Sequence, residues 1–470
     1  MYTIDFDRPQ WVHFMGIGGI SMSSLAQFAL SRGFIVSGSD KWECKNTLRL
    51  REMGARIAIG QSPENIVPGI DFCVNTAAVH ADNPEYVAAE AAGLPILTRA
   101  QFLGQMMSHF PESFAISGTD GKTTTTGMVT EILMAADADP TVSIGGLQES
   151  IGGNLRLGAS PYFVAEACEF TNSFLELYPK TAIILNIRPD HLDFFGTLEN
   201  IRRSFRKFAE QVSPDGCLVA ESDIDDVREL MKGLPCRVVY VGREDGDDYR
   251  ALNVTSTKLG LCSFDFYRKD ELLGRIDLNV PGAHNVTNAL AAGSAALEQG
   301  ISFAAVKTGL ERFAGVHRRF EKRGILREDI PVMDDFGHNP GEIDATYHVA
   351  RNYPYKLTCI FQPYTYSRTK EFFNEFVDVL SQFDRVVLSD IMPARETDDL
   401  GVHSSQLRDA ILARGTECVY LPEFPEIVEY LLENSSNGEM LITMGCGNVD
   451  LVADMLVASD LCTSSTLKTL

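Results

Sequence analysis

With 470 residues, 45% of them hydrophobic and 22% charged, the chain has the composition of a folded globular protein and the length for two to four domains, three being the natural division. Its formal net charge of −23 argues against a nucleic-acid-binding surface, although backbone N–H groups can hold a phosphate whatever the global charge. There is no long apolar run and no basic-then-apolar start at Met1 to Arg8, so a cytoplasmic protein without membrane insertion is expected.

Three segments each open on a strand-like run and continue in β/α alternation, the pattern of parallel sheets covered by helices. The expected fold is α/β in three domains: a Rossmann-like domain over 1–108, a central P-loop-type ATPase domain over 109–319 and a Rossmann-like domain over 320–470. The last boundary is the least defined, because Arg318-Arg319-Phe320 fits either side.

The first segment runs from Val12-His13-Phe14-Met15 through a glycine turn into a helical pattern at Ile20, Met22, Leu25, Phe28 and Ala29, then returns to Phe34-Ile35-Val36. In the turn, Gly16, Gly18 and Gly19 let the backbone approach a pyrophosphate at a helix N-terminus, and Ser21 stands where a third glycine would complete the motif. Asp40 ends the next strand-like run. A nucleotide diphosphate, a nicotinamide or flavin cofactor, and a purely structural turn all remain compatible with this pattern.

The second segment begins with Phe114-Ala115-Ile116 and continues into Gly118-Thr119-Asp120-Gly121-Lys122-Thr123-Thr124-Thr125, followed by a helix with Met128, Ile132 and Leu133. Only two residues separate the glycines, fewer than in the Walker spacing, yet the chemistry is the same. Free N–H groups surround ATP phosphates, Lys122 adds a positive charge, and the Thr123 hydroxyl suits Mg²⁺. Two later clusters follow strand-like runs and offer metal ligands: Glu166 and Glu169 after Tyr162 to Ala165, and Asn186-Ile187-Arg188-Pro189-Asp190-His191-Leu192-Asp193 after Ala182 to Leu185. The ten cysteines are scattered, with no CxxC pair and no His at metal spacing, and read as reduced thiols. The third segment opens near Phe320 and alternates strand-like runs at Lys356 to Phe361, Arg385 to Leu388 and Met440 to Met444 with helical stretches.

Taken together, these blocks resemble the Mur ligase family. The resemblance is carried in order by His13 to Met22, Gly118 to Thr125, Glu166-Ala167-Cys168-Glu169, Asp190 to Asp193, Pro281-Gly282-Ala283-His284-Asn285-Val286-Thr287-Asn288-Ala289, Arg318-Arg319-Phe320-Glu321 and Gln362-Pro363-Tyr364-Thr365-Tyr366-Ser367-Arg368-Thr369. It implies a peptidoglycan-precursor enzyme that uses ATP and Mg²⁺ to join L-alanine to UDP-N-acetylmuramate through an acyl phosphate, as a monomer or homodimer. It further implies that Gly16, Gly18, Gly19 and Asp40 serve the UDP-sugar. Gly118, Thr119, Asp120, Gly121, Lys122, Thr123 and Thr124 would serve ATP, with Asn285 and Asn288 at the adenine. Thr123, Glu166 and His191 would hold metal, with Lys122, His191 and Arg319 in catalysis. Arg319 would reach the terminal phosphate from the domain junction. His338 and Arg368 would receive the amino acid, Arg368 binding its carboxylate bidentately, and Arg395 is a further basic candidate.

Three residues depart from the family pattern. Asp120 stands where members with this specificity usually carry His, and its carboxylate is compatible with pointing outward, reaching Mg²⁺ through water, or weakening ATP binding by repulsion. Phe336 replaces a tyrosine and Asn339 the second of two histidines in Asp334-Asp335-Phe336-Gly337-His338-Asn339-Pro340. Both lie near the expected amino-acid pocket, which leaves open a ligase for another amino acid or a recycled peptide. Asp120 likewise leaves open a non-catalytic UDP-sugar or nucleotide sensor.

Overall fold

A computed structural model describes residues 2–467 other than Ala77, Glu328 and Arg395. Three sheets are present among the described residues. The first is built from β1 (Trp11–Met15), β2 (Ile35–Asp40), β3 (Arg56–Ile59), β4 (Phe72–Asn75) and β5 (Ile96–Thr98) in the order β3-β2-β1-β4-β5, with every adjacent pair parallel. The helix Ile20–Ser31 crosses from β1 to β2, so the glycine turn sits at the carboxyl end of a central strand.

The second sheet comprises β6 (Glu112–Ser117), β7 (Thr141–Gln148), β8 (Gly153–Arg156), β9 (Tyr162–Glu166), β10 (Thr181–Ile184), β11 (Cys217–Glu221), β12 (Arg237–Gly242), β13 (Tyr249–Ser256), β14 (Leu261–Arg268) and β15 (Glu271–Pro281). Their order is β15-β14-β13-β12-β11-β10-β6-β9-β7-β8. Strand β6 lies between β10 and β9, with Ile116 opposite both Ile183 and Glu166. Because all three strands are parallel, the segments that leave them at 118–121, 167–169 and 185–191 emerge together at the carboxyl ends of these strands. The interior of this trio is fully buried and apolar, as strands covered on both faces require.

The third sheet comprises β16 (Glu321–Leu326), β17 (Ile330–Asp335), β18 (Lys356–Phe361), β19 (Arg385–Leu388), β20 (Glu417–Tyr420) and β21 (Glu439–Met444), ordered β16-β17-β21-β18-β19-β20. The parallel pairing favoured by the β/α alternation gives way wherever a strand folds straight back on its neighbour. Strand β8 runs antiparallel to β7, and β16 antiparallel to β17. Each pair is joined by a short connection, which lets a chain fold back but is too short for a parallel crossover.

The chain divides into two compact units, one of Met1–Asn253, Phe264–Ile276 and Thr287–Phe313, the other of Val254–Ser263, Asp277–Val286 and Ala314–Leu470. In the first unit a continuous core runs from Val12 and Phe14 to Phe163 and Phe208, with Phe174 stacked on Phe208 at 4.9 Å and edge-on to Phe205 at 5.2 Å. The helix Arg99–Ser108 meets the turn Phe170–Glu176 so closely that a Cβ on Gly104 would lie 1.9 Å from the Glu176 carbonyl oxygen. In the second unit, separate apolar clusters include Leu357, Phe361 and Phe376, and Leu441, Val452 and Leu456. Among the described residues, no helix is long and apolar enough to cross a membrane.

Candidate functional site

The phosphate loop leaves β6 and ends on the helix Lys122–Ala135. Gly118 has φ +148° and Gly121 has φ +83°, values that side chains rarely adopt. A Cβ on Gly121 would also lie 2.7 Å from Oδ1 of Asn288, which places that amide directly against the loop. Thr123 and Thr124 occupy the half-buried first turn of the helix, whose unpaired N–H groups and dipole favour an anion.

Lys122 folds back over this turn. Its Nζ donates to the carbonyl oxygens of Gly118 at 2.6 Å and Thr119 at 2.9 Å and to Glu169 Oε1 at 3.1 Å, with Glu169 Oε2 at 3.0 Å. Burial works against the ammonium, but the Glu169 carboxylate, helped by Cys168 and Asp120, outweighs it and moves the Lys122 pKa upward. Burial raises the Glu169 pKa, and Lys122 opposes that shift.

Asp120 is tied to the segment after β10. Its N–H donates to Asn186 Oδ1 at 2.8 Å, Asn186 Nδ2 donates to the Asp120 carbonyl oxygen at 3.1 Å, and Asp120 Oδ2 faces Arg188 Nη1 at 3.4 Å. Asp120 Oδ2 is thus paired with a cation, while Oδ1 is buried.

Glu169, Asp190 and His191 each present a ligand atom, all within 4.8 Å of one another. His191 has φ +50°, and its N–H donates to Asp190 Oδ1 at 2.8 Å. Its ring lies 4.5 Å from that of Phe170. Glu169 Oε2 is buried, with the Lys122 ammonium 3.0 Å away. Two carboxylates and an imidazole brought this close together fit a divalent cation. Glu166 ends β9 and accepts from the Gly145 N–H at 2.7 Å. Glu169 and Asp190 stood in the two clusters expected to offer metal ligands, beside the Glu166 and His191 that the family resemblance assigns to metal. Their signal was adjacency, Glu169 three residues after Glu166 and Asp190 beside His191.

At the first glycine turn, Gly16 has φ +81°, and its N–H and that of Ile17 both donate to the Ser39 carbonyl oxygen at 2.9 Å. The Gly18 N–H donates to Asp40 Oδ2 at 2.8 Å, while Gly19 caps the helix without a side chain. Gly16, Gly18, Gly19 and Asp40 therefore form one contiguous turn. Asn285 begins the helix His284–Glu298, its Nδ2 donating to the Pro281 carbonyl oxygen at 2.7 Å.

In the second unit, Arg319 Nη1 donates to Glu342 Oε1 at 3.3 Å, and Glu342 Oε2 lies 3.1 Å from His338 Nδ1. The neighbouring Arg318 donates to Asp334 and to the carbonyl oxygens of Gly445 and Gly447. Arg368 stands in the short helix Tyr366–Glu371 and approaches the Tyr364 carbonyl oxygen at 3.4 Å. The Tyr364 ring is 6.2 Å from that of His338. The two departures here have structural roles. Phe336 lies beneath the guanidinium groups of Arg318 at 5.2 Å and Arg319 at 5.4 Å, and the Asn339 side chain caps the helix Pro340–Ala350 by accepting from the Glu342 N–H. Arg395 lies outside the described residues.

Burial disfavours the His338 imidazolium, but Glu342 and Cys446 outweigh it and push the His338 pKa up to about 10. Glu342, despite burial, is held well below the usual carboxylate range by His338 and Arg319. A histidine raised in the folded state stabilises fully below its unfolded value near 6.5, and that stability disappears as pH rises through its folded value. Thermal unfolding between pH 6 and 10 is therefore expected to show an alkaline loss of stability in the wild type that is largely missing in His338→Gln.

Family models match most of the chain: a Mur ligase family catalytic domain over 11–111, a Mur ligase middle domain over 116–296 and a Mur ligase glutamate ligase domain over 318–447. Proteins named UDP-N-acetylmuramate–L-alanine ligase are similar over nearly their whole length. The one from Lachnospira eligens is 48% identical, covering 97% of this chain and 100% of the relative, and the one from Agathobacter rectalis is 47% identical with the same coverage. The crystal structure of the UDP-N-acetylmuramate-alanine ligase of Thermotoga maritima superposes with a TM-score of 0.81 at 30% identity, covering 96% of this chain and 99% of that one. The phosphate loop, the fold that presents it and these matches lead to one conclusion: the chain belongs to the Mur ligase family.

Proposed function

We propose that this chain joins L-alanine to the lactyl carboxylate of UDP-N-acetylmuramate with hydrolysis of ATP to ADP and phosphate, a step in peptidoglycan-precursor synthesis. The observation that carries the reading is the meeting of Lys122 with Glu169, Asp190 and His191 at the N-terminus of one helix. The full-length similarity to alanine ligases supports the choice of amine.

A carboxylate is a poor electrophile, so the γ-phosphoryl group is first transferred to it, and the lactyl oxygen becomes the bridge of an acyl phosphate. The L-alanine amine then attacks the acyl carbon, and phosphate leaves with that oxygen. The N–H groups of the loop from Gly118 to Thr124 receive the phosphates, and Lys122 exchanges its carbonyl partners for phosphate oxygens. Asn285 and Asn288 offer both donor and acceptor groups to the adenine. Mg²⁺, held by Glu169, Asp190 and His191 with Thr123 and Glu166 as further candidates, would supply charge neutralisation between two anionic substrates. Gly16, Gly18, Gly19 and Asp40 form the turn assigned to the UDP-sugar. The family resemblance assigns Arg319 to the terminal phosphate and His338 to the amino acid.

Arg368 is assigned to the L-alanine carboxylate, a role that suits its planar pair of donors. Its replacement by Ala should raise KM for L-alanine by about 10- to 100-fold, because a hydrogen-bonded charge pair contributes about 1.5–3 kcal/mol, while leaving KM for ATP nearly unchanged. Initial rates with each substrate varied in turn check this.

The function itself is tested by phosphate release from ATP and Mg²⁺ in the presence of UDP-N-acetylmuramate and each amino acid in turn. Strongest release with L-alanine supports the assignment. Release dependent on another amine or a peptide would reassign the substrate, and ATP binding without release under any condition would indicate a sensor.

A further inference from the structure

Asp120 places a carboxylate in the loop assigned to ATP, where added negative charge opposes binding of a polyanion. The structure shows what accompanies it. Arg188 lies 68 residues away in sequence, yet its guanidinium is 3.4 Å from Asp120 Oδ2. The backbones beneath the two side chains are fixed to each other. Asp120 N–H donates to Asn186 Oδ1, Asn186 Nδ2 donates back to the Asp120 carbonyl oxygen, Arg188 N–H donates to Thr119 Oγ1 at 2.9 Å, and that hydroxyl donates to the Arg188 carbonyl oxygen at 3.3 Å.

We propose that Arg188 is a positioning residue for nucleotide binding, neutralising Asp120 and holding its carboxylate so that an acidic phosphate loop still accepts ATP. An exposed ion pair contributes little to stability, and the Arg188 side chain is 63% exposed, so the pair has no large structural role. Its consequence falls on the ligand. Without Arg188, the Asp120 charge acts more strongly on the phosphates, and the segment from 186 to 191, which also carries Asp190 and His191, loses one of its ties to the loop. The inference rests on the reading of Gly118 to Thr123 as the ATP phosphate site.

The test is a double-mutant cycle on the full chain, with ATP affinity read by isothermal titration and KM for ATP read against kcat. Arg188→Ala should weaken ATP binding about fivefold, the upper range for such a pair, with kcat changed less than KM. Asp120→Asn should bind ATP at least as tightly as the wild type, and the double variant should return to within about twofold of it, because the charge that Arg188 compensates is gone. The difference between Arg188→Ala and wild type should also shrink at high salt. Wild-type affinity in Arg188→Ala would overturn the proposal. So would a double variant as weak as Arg188→Ala, since Arg188 would then act on its own. Lys122→Ala separates the underlying reading: unchanged ATP affinity in that variant would overturn the phosphate-site assignment and this inference with it. UDP-N-acetylmuramate affinity, measured alongside, distinguishes a loss at the loop from general misfolding, which would weaken both ligands in the single and double variants alike.

Discussion

Replacing Lys122 with alanine is expected to lower kcat by about a thousandfold or more, the loss typical of removing a charge that stabilises a transferring phosphoryl group. The ammonium is already poised at the mouth of the helix, held by two loop carbonyl oxygens and Glu169. Those carbonyl bonds are exchangeable for phosphate oxygens, whereas alanine leaves the loop with backbone donors alone. The fold should survive, because burial already raises the Glu169 pKa and a carboxyl without its cation can take up a proton. The measurement is phosphate release under saturating substrates, with retained affinity for UDP-N-acetylmuramate showing that the variant is folded. Activity within tenfold of wild type would remove Lys122 from the mechanism.

Replacing Glu169 should combine a stability loss with an activity loss. Its side chain is 4% exposed and Lys122 17% exposed, so Glu169→Ala strands a largely buried ammonium at a cost of about 3 kcal/mol. It also deletes one of three groups clustered for a cation, so kcat should fall about a hundredfold or more and the Mg²⁺ requirement should rise. Glu169→Gln separates the two effects. The amide oxygen still accepts from Lys122, so melting temperature should recover substantially while activity and Mg²⁺ dependence do not. Thermal unfolding with kcat measured against Mg²⁺ concentration decides this, and a Gln variant with wild-type metal dependence would exclude Glu169 as a ligand.

What the sequence disclosed follows from how locally each feature is encoded. The phosphate loop was legible because Gly118, Gly121 and Lys122 carry their chemistry within a few residues, and the positive φ values of both glycines agree with that reading. The strands β6, β9 and β10 were legible as apolar runs long enough to be buried on both faces. Partnership across the sheet was not. Glu169 lies 47 residues from Lys122, and only the pairing of β9 with β6 brings it there. The orientation of Asp120 was undetermined for the same reason, since Arg188 and Asn186 arrive from the neighbouring strand β10. Phe336 and Asn339 read as changes near a pocket, and their local roles, one ring against two arginines and one cap on a helix, depend on partners that the sequence does not display. The antiparallel edges escaped notice because the turn between β7 and β8, Glu149–Ile151, lacks the Asn-Gly or Asp-Gly signature of a tight hairpin.

In the proposed reaction the lactyl carboxylate is phosphorylated before the amine attacks, and oxygen labelling reads that order. UDP-N-acetylmuramate carrying ¹⁸O in both carboxylate oxygens is incubated with ATP, Mg²⁺, L-alanine and the enzyme, and the released phosphate is analysed by mass spectrometry. One ¹⁸O is expected in each phosphate and one in the amide carbonyl. Phosphate released without label while the amide forms would contradict it.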